Sequence, residues 1–427
     1  MASKFYQPSG ERSAQGKVQE GDFLTQYRST ELELSYYGWI IVAMAFLANL
    51  VGYGLVYGYG IFFKPMSNEF GWSRSVTAGP FGFYAIFHNL LAVFAGKLCD
   101  RFGPKLILAI GGFCLGLSMI LMRYVTTIWE LYLFFGVLFS MGIAGEYIPV
   151  MSTVSKWFKV KRGLAIGLTA AGLGAGSLVF SPLCAWLISS FGWRKAYTVL
   201  GILAWLIFIP IVKFMKQVPR ESMESGKLDG LSFSEAFRTR AFWALGFSWL
   251  FIAIALWAVM IHIVPLVTDR GVSMMTAGIL GGVIGATSII GRISSGFFSD
   301  KVGRKRILIT EFTFQSIAFI WLLFSTEVWM LFLFAILFGL SSGGWTGVIA
   351  AFPADYFGYK ATGSILGFAV ILAGIGVAIG PYLGGYIFDT TQSYNYMVIM
   401  CIIATIAAII SASLLRPPVK IPNSHRG

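Results

Sequence analysis

From Gly281 to Arg306 the chain reads GGVIGATSIIGRISSGFFSDKVGRKR. The stretch opens as an apolar, glycine-rich helix and closes in a compact basic turn. Arg292 stands near its middle. If that helix lies in a bilayer, an arginine there costs roughly 2.5–3.5 kcal/mol on insertion scales, so it needs a compensating role. A structural ion pair or a snorkelling side chain is one such role, and an anionic substrate is the other. The surroundings decide between them.

Composition sets the compartment. Of 427 residues, 57% are hydrophobic and only 12% charged, far from the balance of a soluble globular protein. Apolar runs of about twenty residues recur along the whole length, each able to cross a hydrocarbon core as a helix; about twelve are expected. The net charge of +13 could point to nucleic acid. The Lys and Arg residues fall in short loops, however, so topology accounts for them and no nucleic-acid partner is expected. Cys99, Cys114, Cys184 and Cys401 show no paired spacing, which argues against a disulfide framework or a zinc site. No cofactor is expected. No nucleophile, metal or phosphate-loop constellation is present, so an enzyme is not expected either.

Residues 1–36 are polar and predict a disordered cytoplasmic tail without a signal peptide. Six predicted helices fill 37–215, a charged linker spans 216–240, six more helices fill 241–415, and 416–427 form a second tail. Placing both termini in the cytoplasm puts most basic residues inside, as positive-inside topology requires. The basic turn repeats at an offset of about two hundred residues. Gly96, Asp100, Gly103 and Lys105 match Gly296, Asp300, Gly303 and Lys305, and Gly163, Gly167, Gly174 and Gly176 match Gly363, Gly367, Gly374 and Gly376. Glycines so spaced let helix backbones approach closely, so both halves are expected to pack alike. Two six-helix halves in parallel repeat suit a transporter with a midplane site between them.

Several residues stand out on their own chemistry. Gly281, Gly285, Ser288 and Ser295 share a face with Arg292, a small-residue stripe that either packs tightly or lines a cavity. A guanidinium in that stripe favours the cavity, because its planar fork matches a carboxylate bidentately. Glu146 is the other charge deep in a helix, about 15 Å from the cytoplasmic end at Lys156. It reads as a proton carrier, as a counter-ion for Arg292, or as a carboxylate satisfied by helix ends or hydroxyls. Asn49, Tyr53 and Tyr57 recur every four residues, which suggests a cavity wall, with packing as the alternative. His262 stands near the exterior end and His88 is the repeat partner of Ser288; either is a candidate for proton coupling or an ordinary core polar group. Trp345, beside Gly343 and Gly344, is a candidate roof for the site or a packing residue.

The turns Gly96–Lys105 and Gly296–Lys305 resemble the signature of the major facilitator superfamily. Lys156-Trp157-Phe158, Lys161-Arg162-Gly163-Leu164-Ala165-Ile166-Gly167 and Gly172-Leu-Gly-Ala-Gly176 resemble the fifth-helix signature of its monocarboxylate porter and oxalate/formate antiporter group. Tyr37-Gly38-Trp39 and Phe62-Phe63-Lys64 are similar to that group's first helix. The resemblance implies an all-α membrane protein with the major facilitator fold, twelve helices in two pseudo-repeat halves. It implies a carboxylate-binding role for Arg292 and a tyrosine, Tyr147, that donates to the substrate. It also implies a cytoplasmic latch from Asp100, Arg101, Asp300, Arg304 and Lys305. Ser288 stands where proton-coupled members of the group carry Asp, and Tyr57 where they carry Lys. The eleventh helix lacks the lysine that the oxalate exchanger uses, so a single cation favours a monoanion over a dianion.

The expected function is secondary active transport of small monocarboxylates of the lactate, pyruvate or formate type by alternating access, proton-coupled, with anion exchange as the alternative. A facilitator for a non-carboxylate solute ranks behind both. A receptor that binds without transport would need a signalling domain that this sequence does not offer. The expected setting is the plasma membrane, a bacterial inner membrane in the first instance, with the protein a monomer in the lipid bilayer and a proton or counter-anion as its coupling partner.

Overall fold

A computed structural model describes residues 12–158, 161–216, 230–349, 352–358 and 360–416. Among these, twelve helices are long and apolar enough to cross a membrane. They are α1 (Arg12–Phe70, crossing from Tyr36), α2 (Arg74–Phe102), α3 (Pro104–Met122), α4 (Ile128–Trp157), α5 (Arg162–Phe191) and α6 (Trp193–Phe214). The second set is α7 (Arg240–Asp269), α8 (Met274–Val302), α9 (Arg304–Phe324), α10 (Val328–Val348), α11 (Thr362–Thr391) and α12 (Tyr394–Ser413). The chain is therefore an all-helical, multi-pass membrane protein.

The repeated residues build repeated boundaries. Ser73 opens α2 by accepting from the Val76 N–H, and Ser273 opens α8 by accepting from the Thr276 N–H. Each satisfies a helix-end donor that would otherwise lack a partner. Both helices close on glycine in the left-handed region, Gly103 at φ 83° and Gly303 at φ 94°. A side chain there would be strained, which explains why both basic turns keep their glycine.

Three details differ from the sequence expectation. The N-terminal leader, expected without fixed structure, is helical from Arg12 and continuous with α1; its Gln, Glu, Lys and Leu content suits a helix. The tenth helix, which the apolar run predicts over about 329–353, stops at Val348, and a separate helical turn follows at Phe352–Phe357. Inside α4 the turns widen to π spacing over Tyr132–Phe139, a change no hydrophobic pattern signals. Of the expected linker, 217–229 lies outside the described residues, as does 417–427 of the C-terminal tail. The linker's end holds a short helix, Phe233–Phe237, opened by a capping box between Ser232 and Glu235.

The two halves meet along α5 with α8, α2 with α11, and α1 with α7. Where α5 crosses α8, a Cβ on Gly285 would stand 2.5 Å from the Gly174 carbonyl oxygen and 2.6 Å from the Leu178 nitrogen. Only glycine permits that approach, and the Ser177 hydroxyl donates to the Gly281 carbonyl at 2.9 Å across the same seam. In lipid, where apolar burial adds little between helices, such contact and hydrogen bonding hold the halves together.

Contact is uneven along the seam. Toward the end away from the chain termini, the far end, the halves are tied by charge. Lys64 and Arg74 of the first half pair with Asp269 of the second at 2.6 and 2.9 Å. Asp389 accepts from the backbone N–H groups of Arg74 and Ser75 at 2.8 and 2.9 Å and from the Ser75 hydroxyl at 2.6 Å. A carboxylate of α11 thus caps the N-terminus of α2 across the seam. At the end that carries the termini, a Cβ on Gly163, Gly167, Gly296, Gly363 or Gly367 would meet nothing within 4 Å. The repeated glycines are filled at one end and open at the other, so the halves diverge toward the termini.

Candidate functional site

Near the middle of the seam, residues of α1, α5, α7, α8 and α10 enclose a cavity of about 40 Å³. Arg292 enters it from α8. Its Nε donates to the Thr346 hydroxyl of α10 at 3.3 Å, and its Nη1 is buried without a hydrogen-bond partner. Among the described residues no carboxylate pairs with it. Thr346 in turn donates to the backbone carbonyls of Ser342 and Gly343, both at 2.9 Å, so its lone pair is what faces the guanidinium. The arginine is thereby oriented but not neutralised.

Around that charge the cavity is mainly apolar, with a few polar groups. Ser177, Ser288 and Ser342 bring hydroxyls, Tyr57 brings a phenol, and Leu256, Met260 and Ile284 form an apolar wall. The serine protons are already placed: Ser177 donates to Gly281, Ser288 to Gly285 at 2.8 Å, and Ser342 to Gly339 at 3.1 Å. Each hydroxyl oxygen therefore retains acceptor capacity.

The predicted site residues separate into groups. Arg292, Ser288 and Tyr57 line the cavity together. Tyr57 stacks on Trp257 of α7 at 5.8 Å between ring centroids, and Tyr53 links it, at 6.2 Å, to Tyr147, which lies 5.5 Å from Tyr53. An aromatic row thus runs from α4 through α1 to α7. The Arg292 charge reaches both Tyr57 and Tyr147, although Tyr53 and Tyr147 stand outside the enclosed volume.

Three candidates face elsewhere. Asn49 is fully buried against α5, its amide donating to the Thr169 carbonyl at 3.2 Å, so it ties two helices of one half rather than lining the cavity. Trp345 donates to Gln315 at 3.1 Å and packs edge-on to Phe312 inside the second half, outside the lining of the Arg292 cavity. His262 has both ring nitrogens engaged. A carbonyl only accepts, so Nε2 donates to Pro381 at 2.8 Å and Nδ1 is left to accept from the Tyr394 hydroxyl at 3.2 Å. That is a neutral ring serving the far-end junction.

Glu146 is fully buried, and neither carboxylate oxygen has a partner. It packs on α1, where a Cβ on Gly52 would come within 2.7 Å of its Oε2. The counter-ion role for Arg292 is not realised. His88 stacks on Tyr84 at 5.8 Å with its Nδ1 buried and unpartnered. At the termini end, Asp100 pairs with Lys156 at 2.9 Å, and Arg304 pairs with Asp355. Arg101 lies over the Phe102 ring, and Lys305 donates to the Ser413 and Leu415 carbonyls. Each of these contacts stays within one half. The side chain of Asp300 lies outside the described residues.

Sequence reasoning missed several participants. Thr346 is the repeat partner of Glu146 and could have been found from that offset. Ser177, directly after Gly172–Gly176, carried a similar signal. Glu311 is a second acid inside a membrane helix. It accepts from the Ser295 hydroxyl and packs against Gly344, which turns Ser295 away from the cavity stripe.

Two helical halves, a repeated basic turn and a cation in a cavity on their seam are the features of a membrane transporter. The model of the Major Facilitator Superfamily matches residues 44–320 and 288–426, and the chain belongs to that superfamily. It is 26% identical to the uncharacterized MFS-type transporter YcxA of Bacillus subtilis over 86% of this chain and 92% of the relative. It is also 26% identical to mouse monocarboxylate transporter 12, over 89% of this chain and 85% of the relative, and 26% identical to rat monocarboxylate transporter 4, over 85% and 80%. The fold resembles a solved bacterial homologue of the human lysosomal transporter Spinster in its inward-facing, unoccupied conformation. That match has a TM-score of 0.73 at 17% identity and covers 88% of this chain and 97% of the other. The fold and the relatives are those of transporters, not of enzymes.

Proposed function

We propose that this chain carries small monocarboxylates across the membrane by alternating access, with a proton moving alongside. The observation that supports it best is the buried Arg292 Nη1, which faces a small cavity with no acid among the described residues to match it. A carboxylate supplies the missing charge and can take two guanidinium hydrogens at once. The apolar wall of Leu256, Met260 and Ile284 suits a short hydrocarbon tail. The relatives named monocarboxylate transporters point the same way. No Lys or Arg occurs between Gly363 and Phe388, so a second carboxylate would stay unpaired, and a monoanion is favoured over oxalate.

With both termini in the cytoplasm, the far-end closure and the divergence near the termini describe an inward-open carrier. We place that carrier in the plasma membrane as a monomer. Bringing one anion into a cell that is negative inside costs about 2.3 kcal/mol per 100 mV. A proton moving with it cancels that cost, as does exchange for another anion. Glu146 favours the proton: a buried carboxylate without partners is far less costly as the neutral acid than as the anion.

The test is uptake by the purified chain in liposomes with a panel of acids. Lactate is expected to accumulate and oxalate to compete poorly. Arg292→Lys is expected to abolish uptake while expression stays near normal, because the point charge of lysine lacks the fork. Retained transport with unchanged affinity would remove Arg292 from the site.

A further inference from the structure

A second cavity, of about 660 Å³, lies at the termini end of the bundle between the start of α7 and the end of α12, away from the seam. Arg238, Arg240 and Arg416 stand around it. All three are exposed, and none makes an ion pair with an acid among the described residues. Like charges gathered without an acid repel one another until an anion joins them. The local backbone adds to the same sign. Thr239 caps the Phe242 N–H at 3.2 Å, which leaves the first N–H groups of α7 without helical partners at its positive end. The opposing carbonyls at the end of α12 are already answered, since Lys305 Nζ donates to those of Ser413 and Leu415 at 2.7 Å each.

The cavity is also largely apolar. Trp243 lines it with its indole N–H donating to the Phe237 carbonyl at 3.1 Å, an apolar ring with its polar edge anchored, as aromatics at a membrane interface are. Phe247 and Leu414 line the same cavity and are 41% and 65% exposed at the ends of membrane helices. Three guanidiniums and a helix N-terminus thus adjoin lipid-facing apolar surface, and a ligand that fits both is charged at one end and oily at the other.

We propose that this cavity binds the phosphate headgroup of an anionic phospholipid, with the arginines on the phosphate and the acyl chains along Trp243, Phe247 and Leu414. Free phosphate shares the headgroup chemistry but has nothing to lay on the apolar wall. The test uses the full chain in detergent, with bound lipid counted by native mass spectrometry after addition of phosphatidylglycerol, or of phosphatidylcholine with the same acyl chains. Phosphatidylglycerol is expected to stay bound at roughly tenfold lower concentration than phosphatidylcholine, a ratio that charge-assisted pairing supplies. The double variant R238Q/R416Q is expected to erase that ratio. If it fails to insert, R416Q alone, at the exposed end of α12, is expected to lower the ratio at least threefold. Equal retention of the two lipids, or an unchanged ratio in R416Q, would overturn the proposal. So would displacement of phosphatidylglycerol by millimolar inorganic phosphate, which would mark a plain anion site.

Discussion

Arg292 is oriented through Nε by Thr346, while Nη1 is left for a ligand, and the serine hydroxyls nearby have already given their protons to the backbone. That division of donors has a consequence for selectivity. A 2-hydroxy acid brings a donor to serine oxygens that can only accept, whereas a 2-oxo acid finds a hydroxyl donor in Tyr57 alone unless a serine releases its backbone bond. A neutral hydrogen bond is worth about 1 kcal/mol net, so lactate is expected to inhibit uptake at roughly fivefold lower concentration than pyruvate. A preference for pyruvate would show that the serines turn toward the ligand. Glu146 makes the second case at this scale. Glu146→Gln keeps the shape and removes the proton, so acid-driven uptake should be lost while exchange of labelled for unlabelled substrate persists. If uptake keeps its pH dependence, the proton travels elsewhere. The arginine was legible in the sequence because a charge inside an apolar run is conspicuous. Thr346 and Ser177 carry only a positional signal and Ser342 none, since small hydroxyl residues are as common in tight helix packing as in cavities. Asn49 and Trp345 show the converse: their N–H donors are engaged by a helix carbonyl and by Gln315, partners that no helix-face pattern identifies.

At the scale of elements, spacing foretold the helices well and their contacts only partly. The glycine repeat marked α5, α8 and α11 as close-packing surfaces, and Gly174 against Gly285 is such a contact. What spacing does not say is when a glycine is in use. Gly285 is filled in this state, whereas Gly163, Gly167, Gly363 and Gly367 face open space. Gly285→Leu places a side chain where 2.5 Å separates its Cβ from a carbonyl oxygen. Overpacking of that kind costs about 1–3 kcal/mol. The variant is expected to lose several degrees of thermal stability and most uptake. By contrast, Gly167→Ala should leave the stability of this state unchanged and slow transport only if the open glycines pack in the opposite state. Equal stability of Gly285→Leu and the parent, read by a thermal melt in detergent, would deny that the α5–α8 crossing is closed at this point. The widened turns of α4 and the extension of α1 to Arg12 were illegible for a different reason, because both depend on backbone register rather than on hydrophobic period.

For the whole molecule, the balance between the two ends decides which state is populated. The far end is held by Lys64 and Arg74 on Asp269, by Asp389 on the first turn of α2, and by Arg74 over the Phe388 ring at 4.6 Å. At the other end the described ion pairs stay within their own halves, so they put no bond across the seam in this state. The repeat predicted latches at the termini end, where the motif lies. Among the described residues, the charges that bridge the halves sit at the opposite end, outside the repeated basic turns. Removing them should therefore move the equilibrium. Asp389→Asn leaves two backbone donors with a weaker acceptor, and Asp269→Asn frees two cations at once. Each partly exposed charged contact is worth roughly 1 kcal/mol after solvent screening, so the double variant should shift the population by about tenfold or more toward far-end opening. Spin labels on the far ends of α1 and α7 would report this as growth of a longer-distance peak, with uptake falling because the carrier no longer returns. An unchanged distance distribution would mean that the Gly60, Gly82 and Gly385 backbone contacts hold the far end shut without help from charge.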